Sequence, residues 1–292
     1  MASKLLKYLA ITLAWLLVWH LASVWVANEI LLCSPLDVIR TLYANAFTAR
    51  FWQTILYTLL RISIGFFTAL VAGLLLGALA WRLKPFAEFF NPALLCVKSV
   101  PIVCFIVLLL IWFGAPNVCA SAVFLVTFPA VYFSVIEGLR NQDRPLLEML
   151  KIFRVSGRRR LLTFYWPTVL PFLTATSRVA VGMAWKSGVA AELIGLPLGS
   201  VGERIYQAKI QLSSADLLAW TLVIVLAALV CEKLFLSALE KSGDVAWRLA
   251  LPRGRGDGAD VTGGRDVTGG RKKCHLTGGR VTGGRDVTGG RD

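Results

Sequence analysis

The residues that could carry chemistry are ionisable side chains within long apolar segments. Lys98, Arg178, Lys186 and Glu192 interrupt stretches that otherwise hold few charges, and Pro101 breaks the same stretch as Lys98. Charged groups in such segments are costly unless they face protein or water, so these five residues are candidates for lining a path that a solute could follow. Lys186 could attract an anion or pair with Glu192, and the competing interpretation is a long side chain that reaches the membrane surface.

No pattern typical of an enzyme accompanies these residues. The sequence has no Gly-x-x-x-x-Gly-Lys-Ser/Thr phosphate-binding loop, so any ATP must bind another chain. Its two histidines, His20 and His275, are far apart, and its six cysteines are scattered without a Cys-x-x-Cys pair. We interpret the cysteines as small core residues with free thiols. We therefore expect no catalytic residue, no metal site and no cofactor.

The composition is that of a membrane protein. The chain has 292 residues, of which 57% are hydrophobic, with a mean hydropathy of +0.67. Soluble domains have about 45–50% apolar residues, and a bilayer core is spanned by about 20 of them in a helix. We predict an all-α, polytopic transmembrane helix bundle with about six spans. The predicted spans cover residues 5–27, 52–80, 86–113 (interrupted by Asn91-Pro92, Lys98 and Pro101), 118–136, 167–191 and 216–239.

The net charge of +14 follows the predicted topology rather than a nucleic-acid partner. Basic residues near the N-terminus, at 82–84, at 140–160 and at 241–248 fall on one side of the predicted membrane. Only Arg40, Arg50, Arg204 and Lys209 fall on the other. The positive-inside rule then places both termini and the loop at about 140–166 in the cytoplasm.

The chain divides into a predicted transmembrane domain, residues 1–250, and a tail, residues 251–292. The tail repeats Val-Thr-Gly-Gly-Arg and holds few large apolar side chains. Such a composition cannot bury a core, so we expect the tail to be disordered and without function.

The loop at about 140–166 is the longest polar interval before the tail. Apolar residues recur at helical spacing from about 146 to 154, which predicts a short amphipathic helix. We expect Gly157 to end this helix in the left-handed conformation and a second short helix to cover 158–165. Within the second span, Gly73 and Gly77 form a Gly-x-x-x-Gly pair suited to close helix packing.

The same loop resembles the cytoplasmic "EAA" loop of binding-protein-dependent importer permeases. Glu148, Gly157 nine residues later, and Leu170-Pro171 match that pattern, whereas Met149-Leu150 stands where the family usually has two alanines. The resemblance is to permeases of the nitrate/sulfonate/taurine type and covers about residues 5–250. Other matching motifs are Thr58-Leu-Leu-Arg61 with Gly65, Lys98-Ser-Val-Pro101, Trp112-Phe113-Gly114, Arg178-Val-Ala-Val-Gly182 with Trp185, and Ala191-Glu192-Leu193.

The resemblance implies the permease subunit of an ATP-driven (ABC) importer in a bacterial inner membrane. Its implied partners are a cytoplasmic ABC ATPase, an extracytoplasmic solute-binding protein and a second permease copy, with a homodimer favoured. The loop would couple to the ATPase through Glu148, Met149, Leu150, Phe153 and Gly157. The implied solute is small and of the nitrate, sulfonate, taurine or thiamine-precursor class, and Lys186 favours an anion. The alternatives are a self-sufficient secondary carrier or channel and a membrane scaffold.

Overall fold

The computed structural model describes residues 2–28 and 30–250, and within these ranges every regular element is a helix. The repeat tail predicted to be disordered lies outside the described residues. We number ten α-helices, with one π-helical turn, Leu161–Tyr165, between α7 and α8. The helices are α1 (Ala2–Val26), α2 (Pro35–Ala46), α3 (Ala49–Arg82), α4 (Lys84–Ser99), α5 (Ile102–Arg140), α6 (Arg144–Ile152), α7 (Gly157–Arg160), α8 (Trp166–Gly195), α9 (Val201–Ile210) and α10 (Ser214–Ala250).

The all-α, polytopic fold class is confirmed. Within the described part of the chain, α3, α5 and α10 as far as Leu239 are each long and apolar enough to cross a membrane. Helix α3 alone has 34 residues, or about 50 Å of helix. Helix α8 and the apolar part of α1, Ala10–Val26, lie where further spans are predicted. The arrangement is compatible with about six spans.

Of the two proline breaks predicted in the third span, one is present, and a kink in α5 lies at Gly114, between the third and fourth predicted spans. Helix α4 continues through Pro92, so the interruption predicted at Asn91-Pro92 is wrong. The chain does break before Pro101, where Val100 is extended (φ −87°, ψ 135°) because the proline ring disfavours a helical residue before it. A second break lies inside α5 at Gly114 (φ 73°, ψ 167°), a conformation that is essentially confined to glycine.

Helix α5 lies at the centre of the bundle, between α3 and α8. Ile62 of α3, Cys119 of α5 and Ala184 of α8 belong to one buried apolar cluster. Glycines bring the backbones close together: a Cβ added to Gly73 would lie 2.7 Å from Val131 Cβ, and one on Gly77 would lie 2.9 Å from the Tyr132 carbonyl oxygen. Ordinary contacts between carbon atoms are about 3.5–4.0 Å, so larger side chains would force these helices apart.

Candidate functional site: a lysine-lined cavity and an exposed loop helix

A cavity of about 340 Å³ lies between α4, α5 and α8, and both lysines singled out by the sequence line it. Lys98 reaches it from the last turn of α4 and Lys186 from α8, and both side chains are exposed. Pro101 lies at the adjacent break, between the lining residues Val100 and Ile102. The structure thus brings together three of the five residues predicted to line a path.

The electrostatics of this cavity favour an anion. Apart from the two lysines and Ser187, the lining residues are apolar, and none of them is acidic. The ammonium of Lys98 lies 5.2 Å from the centre of the Phe133 ring, a cation–π contact that holds it near the cavity without neutralising its charge. Two positive charges against apolar walls create a local positive potential that concentrates anions.

Glu192, also predicted to line a path, does not line this cavity. It is fully buried, and its Oε2 accepts hydrogen bonds from Thr58 Oγ1 (2.9 Å) and the Gly202 backbone N–H (3.2 Å). The Thr58 hydroxyl in turn accepts from the Val201 N–H at 3.0 Å. These bonds join α8, α3 and α9, because a buried carboxylate needs donors close by. The suggested pairing of Lys186 with Glu192 is absent for the same reason.

Arg178 also lies elsewhere. Its side chain is exposed and borders a separate open cavity with Leu170, Pro171, Thr174 and Ala175. It lies two turns of α8 before Lys186, and it does not line the lysine cavity. Thr58 is a buried residue that the sequence indicated only as part of a motif. Its side chain is 1% exposed, and its hydroxyl donates to Glu192 and accepts from the Val201 N–H. A hydroxyl within a long apolar run is the feature of the sequence that could have indicated a buried hydrogen bond at this position.

The loop helix α6 presents apolar side chains that nothing in the described chain covers. Ile152, the last residue of α6, and Phe153, directly after it, are 78% and 73% exposed, and Met149 is 44% exposed. Glu148 is exposed, whereas Leu150 is half-buried. Helix α6 is therefore amphipathic as predicted, with an apolar face available to a partner.

The end of α6 differs from the prediction. The left-handed residue is Arg154 (φ 47°), and Gly157 instead begins α7. The Val155 N–H bonds to the Leu150 carbonyl at 3.1 Å, which is the hydrogen bond expected when the residue just before Val155 is left-handed. The prediction that Gly157 caps this helix is thus wrong, because the helix ends one turn earlier. A Cβ added to Gly157 would meet nothing within 4 Å.

The segment after α6 is held to the bundle. Arg160 Nη2 donates to the Val155 carbonyl at 3.2 Å, and Phe164 in the π-helical turn is buried. Tyr165 lies against Trp81 of the last turn of α3, with 5.9 Å between ring centres. The exposed α6 is thus connected to α8 through an anchored stretch rather than a loose linker.

A bundle of long apolar helices with a cavity between them and an amphipathic helix outside the apolar segments is the architecture expected of a transport permease. Residues 69–239 match the family described as binding-protein-dependent transport system inner membrane component. This match covers more than half of the chain, and the chain belongs to that family.

Curated relatives agree with the family. The chain is 26% identical over 196 residues to the putative aliphatic sulfonates transport permease protein SsuC of Bacillus subtilis, covering 66% of this chain and 70% of the relative. It is 28% identical over 230 residues to the taurine transport system permease protein TauC of Escherichia coli, covering 76% and 82%. It is 24% identical over 216 residues to the nitrate import permease protein NrtB of Synechococcus elongatus, covering 70% and 76%.

A solved structure shares the fold. It is described as the crystal structure of a bacterial ABC transporter involved in the import of the acidic polysaccharide alginate. It superposes with a TM-score of 0.51 at 13% identity, over 84% of this chain and 96% of that chain. The chain is therefore the membrane-embedded permease component of an ATP-driven importer, and the comparisons give no support to a self-sufficient carrier or channel.

Proposed function

We propose that this permease carries a small anionic solute through the bilayer and receives its driving force from a separate ATPase that docks on α6. The observation that carries the proposal is the exposed apolar face of α6. Phe153 and Ile152 are more than 70% exposed, although burying each would contribute about 1.5–3 kcal/mol. A helix outside the apolar spans that keeps such side chains in water fits a groove on a partner protein.

Helix α6 is well placed to transmit movement. It is followed by the segment that is anchored at Trp81 and Phe164, and this segment continues directly into α8, which carries Lys186. A displacement of α6 would pass through the short turn at residues 153–156, which Arg160 bonds to at Val155, and then along the continuous helical stretch 157–195 to the wall of the lysine cavity. We propose that Glu148, Met149, Leu150, Phe153 and Gly157 form this coupling element.

The two lysines support an anionic solute. They line one cavity without an acidic neighbour, and the relatives above are named for sulfonates, taurine and nitrate. Each of these solutes carries an oxyanion group. We propose Lys98, Pro101 and Lys186 as part of the translocation path, and exclude Glu192 because it is buried in hydrogen bonds to other elements.

We propose a bacterial inner-membrane location, and the distribution of basic residues supports an orientation with both termini and α6 in the cytoplasm. An extracytoplasmic binding protein would then deliver the solute on the opposite side. A second copy of this chain would complete the path, since the lysine cavity opens on the surface of the single chain and both lysines are exposed.

The test is a pull-down of the full-length tagged chain from its native membranes in mild detergent, followed by mass spectrometry. We expect a P-loop ATPase to accompany the native chain and to be lost in Phe153→Ser and Glu148→Lys. Phe47→Ser is the matched control, because Phe47 is 74% exposed but lies between α2 and α3. Recovery of a stable chain without any ATPase, or equal recovery of the ATPase by the Phe153 variant, would refute the docking of α6.

A further inference from the structure

We propose a second site, which binds an oxyanion group between Arg50 and Arg204 at the end of the bundle remote from α6. A cavity of about 290 Å³ lies there between α2, α3, α9 and α10. Both arginines line it, with the side-chain amides of Asn45, Gln207 and Gln211 among the other lining residues. The volume corresponds to about ten water molecules, which leaves room for a phosphate or sulfonate group.

The length of α3 separates this cavity from the coupling loop. Arg50 is in the first turn of α3, whereas Trp81, which contacts Tyr165 beside the loop, is in its last turn. The 34-residue helix puts about 50 Å between its two ends. The arginine cavity is therefore distinct from both the α6 surface and the lysine cavity, with which it shares no lining residue.

Arg204 carries donors that its protein surroundings do not use. Its Nη2 is buried and makes no hydrogen bond to the described residues, and its Nη1 donates one long bond of 3.4 Å to Gln207 Oε1. A guanidinium has five N–H donors, and a buried donor without a partner is costly. An oxyanion satisfies the planar fork with two parallel, charge-assisted bonds.

The start of α3 adds a second, independent attraction for an anion. Thr48 at its N-cap accepts no side-chain capping bond from the first turn, and its hydroxyl donates to the Asn45 carbonyl at 2.7 Å. Free amide N–H groups and the helix dipole at this end favour negative charge. Arg50 in the same turn is unfavourable by that rule unless an anion lies beside it.

The one acidic residue in the lining does not neutralise the arginines. Asp216 accepts from the Ser213 hydroxyl at 2.7 Å and from Asn45 Nδ2 at 3.4 Å, so both of its oxygens are engaged. Neither arginine forms an ion pair with a carboxylate in the described part of the chain. Two arginines and one aspartate leave the lining with a net charge of +1.

The oxyanion group that this site binds can come from two sources. At the end of a membrane bundle an oxyanion can be the phosphate of a lipid headgroup or a free anion from the aqueous phase. The test uses the purified full-length chain in an uncharged maltoside detergent with chloride as the only small anion. One arm replaces chloride by sulfate at constant ionic strength, and the other adds phosphatidylglycerol to the micelles without sulfate. The thermal unfolding midpoint is measured in each.

We expect a saturable rise of the midpoint in one arm, and that arm identifies the source. Arg204→Gln should need about tenfold more anion or lipid for the same rise, because a charge-assisted pair of bonds is lost. Arg40→Gln is the matched control, since Arg40 is 82% exposed, does not line the arginine cavity, and pairs with Asp37 at 4.0 Å. The comparison with Arg40→Gln also removes the general stabilising effect of sulfate on proteins.

No saturable rise in either arm, or an equal response of Arg204→Gln and the native chain, would overturn the site. If Arg204→Gln does not fold, Arg204→Lys replaces it, because lysine keeps the charge but lacks the planar fork. That variant should also need severalfold more anion, and an unchanged response would count against the proposal. None of these outcomes depends on the ATPase or on transport.

Discussion

Replacement of Gly73 by alanine tests the close packing of α3 on α5. The new Cβ would lie 2.7 Å from both Cβ and Cγ1 of Val131. A normal carbon–carbon contact is about 3.5–4.0 Å, so the helices must separate by about 1 Å or Val131 must move. The Val131 Cβ is fixed to the backbone and cannot rotate away. Overpacking of this kind costs about 1–3 kcal/mol.

The same substitution has an opposing local effect, so a control is needed. Alanine in place of glycine inside a helix stabilises by about 0.5–1 kcal/mol. Gly182→Ala isolates this gain, because Gly182 lies inside α8 and an added Cβ would meet nothing within 4 Å. We expect Gly73→Ala to be less stable than Gly182→Ala by about 1–3 kcal/mol, the overpacking cost alone.

Equilibrium unfolding of the purified chain in mixed micelles, followed by circular dichroism as the denaturing detergent increases, measures this difference. A value within experimental error of zero would refute the packing argument. A loss of stability in Gly182→Ala as large as that in Gly73→Ala would do so as well, since it would show that any alanine on these helices is harmful.

Three further predictions follow from the loop, the lysine cavity and the buried hydrogen bonds. Gly157→Ala should leave coupled ATP hydrolysis in reconstituted vesicles within about twofold of the native value, because its Cβ meets nothing and Gly157 has no left-handed φ, and a loss of coupling in this variant would contradict the structure. In a cysteine-free background, Lys186→Cys should react severalfold faster with an anionic than with a cationic thiosulfonate reagent, and Lys98→Gln should reduce this preference. Lys209→Cys is the control, because Lys209 is exposed and does not line the cavity. If Lys98→Gln changes the reagent preference of Lys209→Cys equally, the effect does not come from the cavity. Thr58→Val should lower the free energy of unfolding by about 1–3 kcal/mol, since it leaves buried polar partners unsatisfied, and an unchanged value in the same detergent titration would contradict this.

The fold class was accessible from sequence because it depends on length and polarity alone. Long apolar runs must form helices in a bilayer, and the break before Pro101 follows from local sterics. The sequence placed an interruption between the predicted spans 86–113 and 118–136, where Gly114 lies, but it could not give the conformation of Gly114, because a glycine tolerates a helix as well as the conformation observed. The interruption predicted at Pro92 was wrong, since a proline inside a helix need not end it.

The site was only partly predictable because charge alone does not specify a neighbour. Lys98 and Lys186 were singled out for their cost in a membrane, yet the sequence could not show that they line the same cavity. Glu192 was singled out for the same reason and lies among donors from α3 and α9 instead. Arg154 adopts the left-handed conformation that was expected of Gly157. The hydrogen bond from the Val155 N–H to the Leu150 carbonyl ends α6 at this point, before Gly157 is reached.

The bond between Thr58 and Glu192 also constrains the order of assembly during synthesis. The two residues are 134 positions apart in the chain. At 5–20 residues per second, the ribosome adds Glu192 about 7–27 s after Thr58. During this interval the threonine hydroxyl must find a provisional acceptor, and the carbonyl one turn earlier in its own helix is available. Helix α9 can form its hydrogen bonds to Thr58 and Glu192 only after both α3 and α8 are in place, so the bonds that hold this end of α3 to α8 and α9 form late, although α3 is made early.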